Sequence, residues 1–306
     1  MIAQPATPEL VNLREIAEIE IFILKRMKEL TLGDHASVYK GGGFHFVGTR
    51  DWQPGDRTAS IDWAQSSLTN FSPLITRDFE QDSNASIIAV ADASMSTRCG
   101  AHGVTIETAI ARAVAAVGLS AVFCQDLFGL VTFDDKFEQV AASRPKIGRS
   151  NVIYCVDLYQ HRRATDIPSG PRDVVTAIEG HLRRAAVVPV ISDFLFADAR
   201  RVIDELVLVD AVHDVFLLMA DVRFAYDVPR VSDGWVEAFD VESGRTGVFS
   251  RREMAQLGRR AVEWQDGIER HARDAGLDVV RVGLDRWAME TALVEFTAER
   301  RLRKTK

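Results

Sequence analysis

An apolar run, Ile87-Ile88-Ala89-Val90-Ala91, leads without a break into Asp92-Ala93-Ser94-Met95-Ser96. A short run of this kind suits a strand buried on both faces, and such strands belong to parallel sheets covered by helices. The Asp-x-Ser-x-Ser order then places one carboxylate and two hydroxyls on the loop at the strand's carboxyl end, where open α/β sheets hold their ligands. Oxygen donors alone suit a hard cation such as Mg²⁺, which keeps several waters and takes few protein carboxylates.

From residue 85 onward the same texture recurs. Apolar segments at Ser86 to Ala91, Phe128 to Phe133, Val187 to Ile191, Asp214 to Met219 and Leu277 to Val282 alternate with helical patterns over 104–123, 150–162, 172–185, 198–210 and 251–275. This alternation predicts an α/β fold built on a doubly wound, mostly parallel sheet. Phe137 to Ala142 reads as a short antiparallel edge strand, and Trp235 to Phe249 as a hairpin around Glu242-Ser243-Gly244.

Upstream, Leu10, Leu13, Ile16, Ile23, Met27 and Leu30 recur at helical spacing among charges, so residues 8–32 form an amphipathic helix. From Lys40 to Glu80 the chain turns to glycine, aromatics and turn residues, a β-rich insert. The glycines 41–43 make no phosphate loop, since no buried strand precedes them and no Gly-Lys-Ser/Thr follows. The expected organisation is a helical segment over 1–39, a β-rich insert over 40–84 and the sheet domain over 85–306.

Composition narrows the function classes. A net charge of −7 disfavours nucleic acid, because phosphate contacts need a clustered basic surface. Only Arg300 to Lys306 is basic, and it reads as a solvated end. Cys99, Cys124 and Cys155 lie far apart, with no Cys-x-x-Cys spacing, so neither a zinc site nor a disulfide framework is indicated and a reducing cytoplasm fits. The early apolar stretch Ile16 to Leu30 contains Glu18, Glu20, Lys25, Arg26, Lys28 and Glu29, which disqualifies it as a membrane span or signal core.

Several motifs in order carry a resemblance. Phe46-Val47-Gly48-Thr49-Arg50-Asp51-Trp52-Gln53-Pro54-Gly55-Asp56, then Ile61-Asp62-Trp63, then Arg77-Asp78-Phe79-Glu80, then Asp92-x-Ser94-x-Ser96 together resemble the bacterial proteins grouped as domain of unknown function 58 (DUF58). That family joins a β-rich N-terminal segment to a von Willebrand factor A-like domain, and the motif match spans about residues 40–195. The resemblance implies a metal-ion-dependent adhesion site with Asp92, Ser94, Ser96 and Asp193 as ligands, Asp193 standing in Val190-Ile191-Ser192-Asp193-Phe194.

Two departures from the family pattern bear on that site. Ala59 stands where the family carries arginine, with Arg57 nearby, and Ser169-Gly170-Pro171-Arg172-Asp173 presents Arg172 where the metal-site threonine is expected. A fixed guanidinium there competes with a cation. The site is therefore expected to be degenerate and to bind Mg²⁺ weakly, with Thr165 a remote source of the missing hydroxyl.

An ordinary role is open to the same residues. Asp92 and Asp193 also suit helix N-termini, and Ser94 and Ser96 suit turns. Arg50, Asp56, Asp62, Trp63 and Arg77 have no acid–base arrangement and read as a buried polar lattice locking the insert to the sheet, since buried charges persist mainly as pairs.

Two function classes follow. The first is a non-catalytic cytoplasmic protein-binding module. The resemblance implies partnership with a MoxR-type AAA+ ATPase and a client protein complex, the chain acting as adaptor or co-chaperone in assembly or activation. The alternative is a metal-assisted hydrolase centred on Asp92 and Asp193. No nucleophile elbow or second-metal cluster accompanies the loop, which favours the binding module.

Overall fold

The computed structural model describes residues 10–32, 45–52, 61–80, 85–101, 104–134, 141–161, 178, 185–226, 235–240 and 245–283. The N-terminal part contains α1 (Leu13–Leu32), β1 (His45–Asp51), α2 (Trp63–Leu68) and β2 (Ile75–Glu80). The domain that follows opens with β3 (Ser86–Asp92), a small hairpin of β4 (Gly100–Ala101) and β5 (Val104–Thr105), and α3 (Ile106–Phe123). Next come β6 (Leu127–Phe133), β7 (Ala141–Lys146), α4 (Arg149–His161), β8 (Val187–Ser192), α5 (Ala199–Asp210) and β9 (Asp214–Ala220). The remaining elements are β10 (Trp235–Asp240), β11 (Arg245–Ser250), α6 (Arg251–Asp274) and β12 (Asp278–Val282).

Six strands form one sheet in the order β12-β9-β8-β3-β6-β7. All neighbours are parallel except β7, which runs antiparallel to β6 at the edge. The chain builds outward from β3 on one side, then returns to add β8, β9 and β12 on the other, so the order reverses between β3 and β8. This is the doubly wound, mostly parallel sheet that the strand–helix alternation predicts. Its switch point lies at the carboxyl ends of β3 and β8, the place where such sheets leave a crevice for ligands.

Side-chain alternation along β3 explains the two-sided burial. Ile87, Ala89 and Ala91 face a layer containing α1, α3 and α4, while Ile88 and Val90 face a layer built from α5 and α6. Helix α3 is the one described helix long and apolar enough to cross a membrane by length and composition, and 78% of it is buried here. A helix apolar on nearly all sides needs cover away from the sheet as well. Helix α1 supplies it, burying Ile16, Ile19 and Ile23 in the same core. Glu15 meets Arg112 at 2.6 Å, Glu20 meets Arg149 at 2.7 Å, and Val11 N–H donates to Gln160 Oε1 at 2.7 Å. The N-terminal helix is thus a working part of the sheet domain's outer layer.

The described edge strand, Ala141–Lys146, overlaps the expected 137–142 at Ala141 and Ala142 and continues to Lys146, while residues 137–140 lie outside the described residues. Its register pairs Leu130 with Ser143 and Phe128 with Lys146, with an irregularity between them. The strand carries Pro145, which an edge position with a bulge tolerates. Gly129 makes the close approach workable, because a Cβ there would sit 2.9 Å from Ser143 O and 3.2 Å from Pro145 N. The β10–β11 hairpin forms as expected, from Trp235 opposite Ser250 to Asp240 opposite Arg245, with its turn at 241–244 outside the described residues. Of the helix expected at 172–185, only Ile178 is described; it is helical and buried.

The polar lattice requires a correction at Trp63. Asp62 is buried, but as the N-cap of α2, its Oδ1 accepting from Ala64 N–H at 3.1 Å and Gln65 N–H at 3.2 Å. Trp63, the first residue of that helix, is 60% exposed and forms no buried lock. Arg50 and Arg77 pair backbones with Thr76 and Thr49 in the β1–β2 ladder, and Asp56 lies outside the described residues.

Candidate functional site

Asp92 is the last residue of β3 and is completely buried, rather than standing on the loop beyond it. The β3–β8 register pairs Ala91 with Ile191, which brings Asp92 beside Ser192 and the following Asp193. The two carboxylates expected to converge therefore meet at the switch point because parallel pairing aligns the ends of their strands.

The hydroxyls link them. Asp92 Oδ1 accepts Ser94 N–H at 2.8 Å, and Asp92 Oδ2 accepts Ser192 Oγ–H at 2.5 Å. Ser94 Oγ and Ser96 Oγ share a hydrogen bond at 3.0 Å, and Ser96 Oγ donates to Asp193 Oδ1 at 3.4 Å. Asp193 Oδ1 also accepts Leu195 N–H at 3.0 Å. One oxygen on each aspartate thus performs the local turn-capping role that its position suggested. Asp193 Oδ2 is different: it is buried and has no hydrogen-bond partner.

Electrostatics agree with that geometry. Burial first, and the neighbouring Asp92 charge second, push the Asp193 carboxyl up to about 7. Tyr226 lies close enough to feel Asp193 and Cys99, its phenol raised chiefly by burial and further by both of those charges. Ser96 is half-buried, next to the exposed Met95.

Three supporting residues escaped the sequence reading. Ser192 ties Asp92 to β8 and accepts Phe194 N–H at 2.8 Å, where Phe194 has φ of 53°. That left-handed backbone is uncommon for a bulky side chain and sharpens the turn just after Asp193. Tyr159 on α4 donates its hydroxyl to Asp92 O at 2.7 Å. Gln265 on α6 donates Nε2 to Asp193 O and Ala220 O, each at 2.8 Å, and its Oε1 accepts Val222 N–H at 3.3 Å. A signal for Gln265 existed: it stands in the buried stripe Met254, Gly258, Gln265, Ile268 and Ala272, where an amide needs partners.

The donor set fits a hard cation. It offers carboxylate and hydroxyl oxygens with no nitrogen or sulfur, and an orphaned buried oxygen is relieved by a positive charge. The described residues contain no group of three or more His, Cys, Asp or Glu placed to hold a metal, so any cation here depends on the serines. Arg172 and Thr165 lie outside the described residues.

A sequence model of one family, described as a protein of unknown function, DUF58, matches residues 48–271. The chain belongs to the DUF58 family. The match runs from β1 into α6 and so takes in Asp92, Ser192, Asp193 and Gln265 of this DUF58 protein. No curated protein matches it. Among solved structures, the conserved hypothetical protein BatB from Bacteroides thetaiotaomicron is 15% identical, covering 71% of this chain and 98% of its own at a TM-score of 0.38. An aerotolerance-related membrane protein from Bacteroides fragilis NCTC 9343, bearing multiple mutations to serines, is 13% identical, covering 70% of this chain and 100% of its own at a TM-score of 0.41.

Proposed function

We propose that this DUF58 protein is a non-catalytic protein-binding module of the cytoplasm whose switch-point loops hold a divalent cation weakly and, through it, a carboxylate of a partner. The buried, unpartnered Asp193 Oδ2 beside Asp92 and the two serines is the observation that carries this reading. A bound Mg²⁺ would neutralise the two carboxylates and offer open coordination positions to an incoming acidic side chain. The partner in this proposal is a MoxR-type AAA+ ATPase together with its client complex, the ATPase supplying work and this chain supplying recognition. That part rests on the family resemblance, an analogy rather than a geometric argument.

Calorimetry with Mg²⁺ and Mn²⁺ tests the cation. Weak binding that disappears in Asp193→Ala and strengthens in Arg172→Thr is the expected result. Capture of a purified MoxR-type ATPase by the full chain, lost on chelation, tests the partnership. Turnover of a phosphoester that requires Asp92 would replace this reading with the metal-assisted hydrolase.

A further inference from the structure

We propose that the cleft between α5 and α6 is a docking site for an acidic peptide segment of a partner protein, separate from the cation loops and independent of whether they hold an ion. The cleft encloses about 350 Å³ and is lined by Arg200, Arg260, Glu263, Trp264, Gly267 and Arg270 among others. Its guanidiniums are unmatched, unlike several of their neighbours on the same two helices. Arg201 meets Glu205 at 2.8 Å and Arg273 meets Glu269 at 2.9 Å, while Arg281 pairs with both Asp266 and Glu269. By contrast, Arg200 and Arg260 have no carboxylate partner among the described residues, and Arg270 donates only to the carbonyl Asp266 O at 3.1 Å. Glu263 lines the same cleft without closing an ion pair to any of them.

This concentration of positive charge sits in a chain whose net charge is −7, so it is a local feature against the general field. Arginine forks bind carboxylates in bidentate fashion, which suits a segment carrying several Asp or Glu side chains. The cleft also has a rigid apolar wall. Trp264 is 40% exposed, yet its Nε1–H is anchored to Phe194 O at 2.8 Å, leaving part of the ring open for an apolar side chain of the peptide. The Arg200 guanidinium comes close to α6 at Gly267, where a Cβ would lie 3.9 Å from its Nη2. A nucleic-acid backbone is the less suitable occupant, because it needs a longer basic track than one cleft in an acidic protein supplies.

The test is fluorescence anisotropy on the full chain in EDTA, using a fluorescein-labelled heptapeptide with six acidic residues around one phenylalanine. Binding that falls with added salt and exceeds that of the corresponding Gln/Asn peptide is expected. Arg260→Glu should weaken it about tenfold and Arg200→Glu with Arg260→Glu by about a hundredfold, while Arg200→Lys with Arg260→Lys, which keeps the charge and loses the forks, falls between wild type and the double Glu variant at unchanged far-UV CD. Asp92→Ala should leave the affinity as it is, which separates this site from the cation loops. The proposal is overturned by equal binding of the amide peptide, by full affinity in the double Glu variant, by loss of binding in folded Asp92→Ala, or by tighter binding of an octathymidylate.

Discussion

Ser192 donates its hydroxyl to Asp92 Oδ2 at 2.5 Å, joining the ends of two adjacent parallel strands across 100 residues of sequence. Because Asp92 is completely buried, this bond and the one from Ser94 N–H keep its carboxylate in a place that a lone charge would not tolerate.

Asp92→Ala is therefore a stability variant as well as a binding variant. Removing the acceptor strands a buried hydroxyl and a buried N–H, at a cost of about 2–4 kcal/mol. Urea unfolding measures it, and a midpoint equal to wild type contradicts the assigned bonds. Ser192→Ala should cost less, about 1–2 kcal/mol.

Asp193→Asn should act in the opposite direction in chelator. It removes a charge that is buried, repelled by Asp92 and short of one partner, so Tm rises above wild type at pH 8. The sign over pH follows from the carboxyl being raised from 3.8 to about 7. Between those values the folded state holds a proton that the unfolded state has released, so wild-type stability falls as pH rises through that window. The Asn variant should be flat there. A lower Tm for Asp193→Asn in EDTA at pH 8 argues against the unpaired oxygen.

Gln265→Leu tests the clamp behind the site. The amide holds Asp193 O, Ala220 O and Val222 N–H together, and leucine leaves all three unsatisfied in the core. A loss of about 2–4 kcal/mol is expected, with faster hydrogen exchange at Val222. Exchange at that amide unchanged from wild type would mean the clamp holds nothing.

Gly129→Ala probes the edge of the sheet. The new methyl meets the β7 backbone at Ser143 O and Pro145, which cannot give way as a flexible side chain would. A loss of about 1–3 kcal/mol is expected, seen in thermal melts and in weakened protection along Ala141–Lys146. Wild-type stability would show that β7 is not held against Gly129.

The sequence by itself determined the layered α/β architecture. Apolar runs such as Ile87 to Ala91, separated by helical periods, have few ways to bury both faces, and a doubly wound sheet is the one that fits. It also placed Asp92 and Asp193 at the ends of strands that meet, since a ligand crevice follows from strand polarity. Tertiary structure decided what each residue does there. Trp63 lies exposed although its type suggested burial, Asp62 became a cap, and Pro145 was accepted within a strand because that strand is at the edge. The bonds from Ser192, Tyr159 and Gln265 join segments far apart in the chain, and local periodicity carries no information about such partners. The same holds for α1, whose pattern announces an amphipathic helix but not the face it must cover. Only the all-round apolar surface of α3, once folded against the sheet, sets that demand.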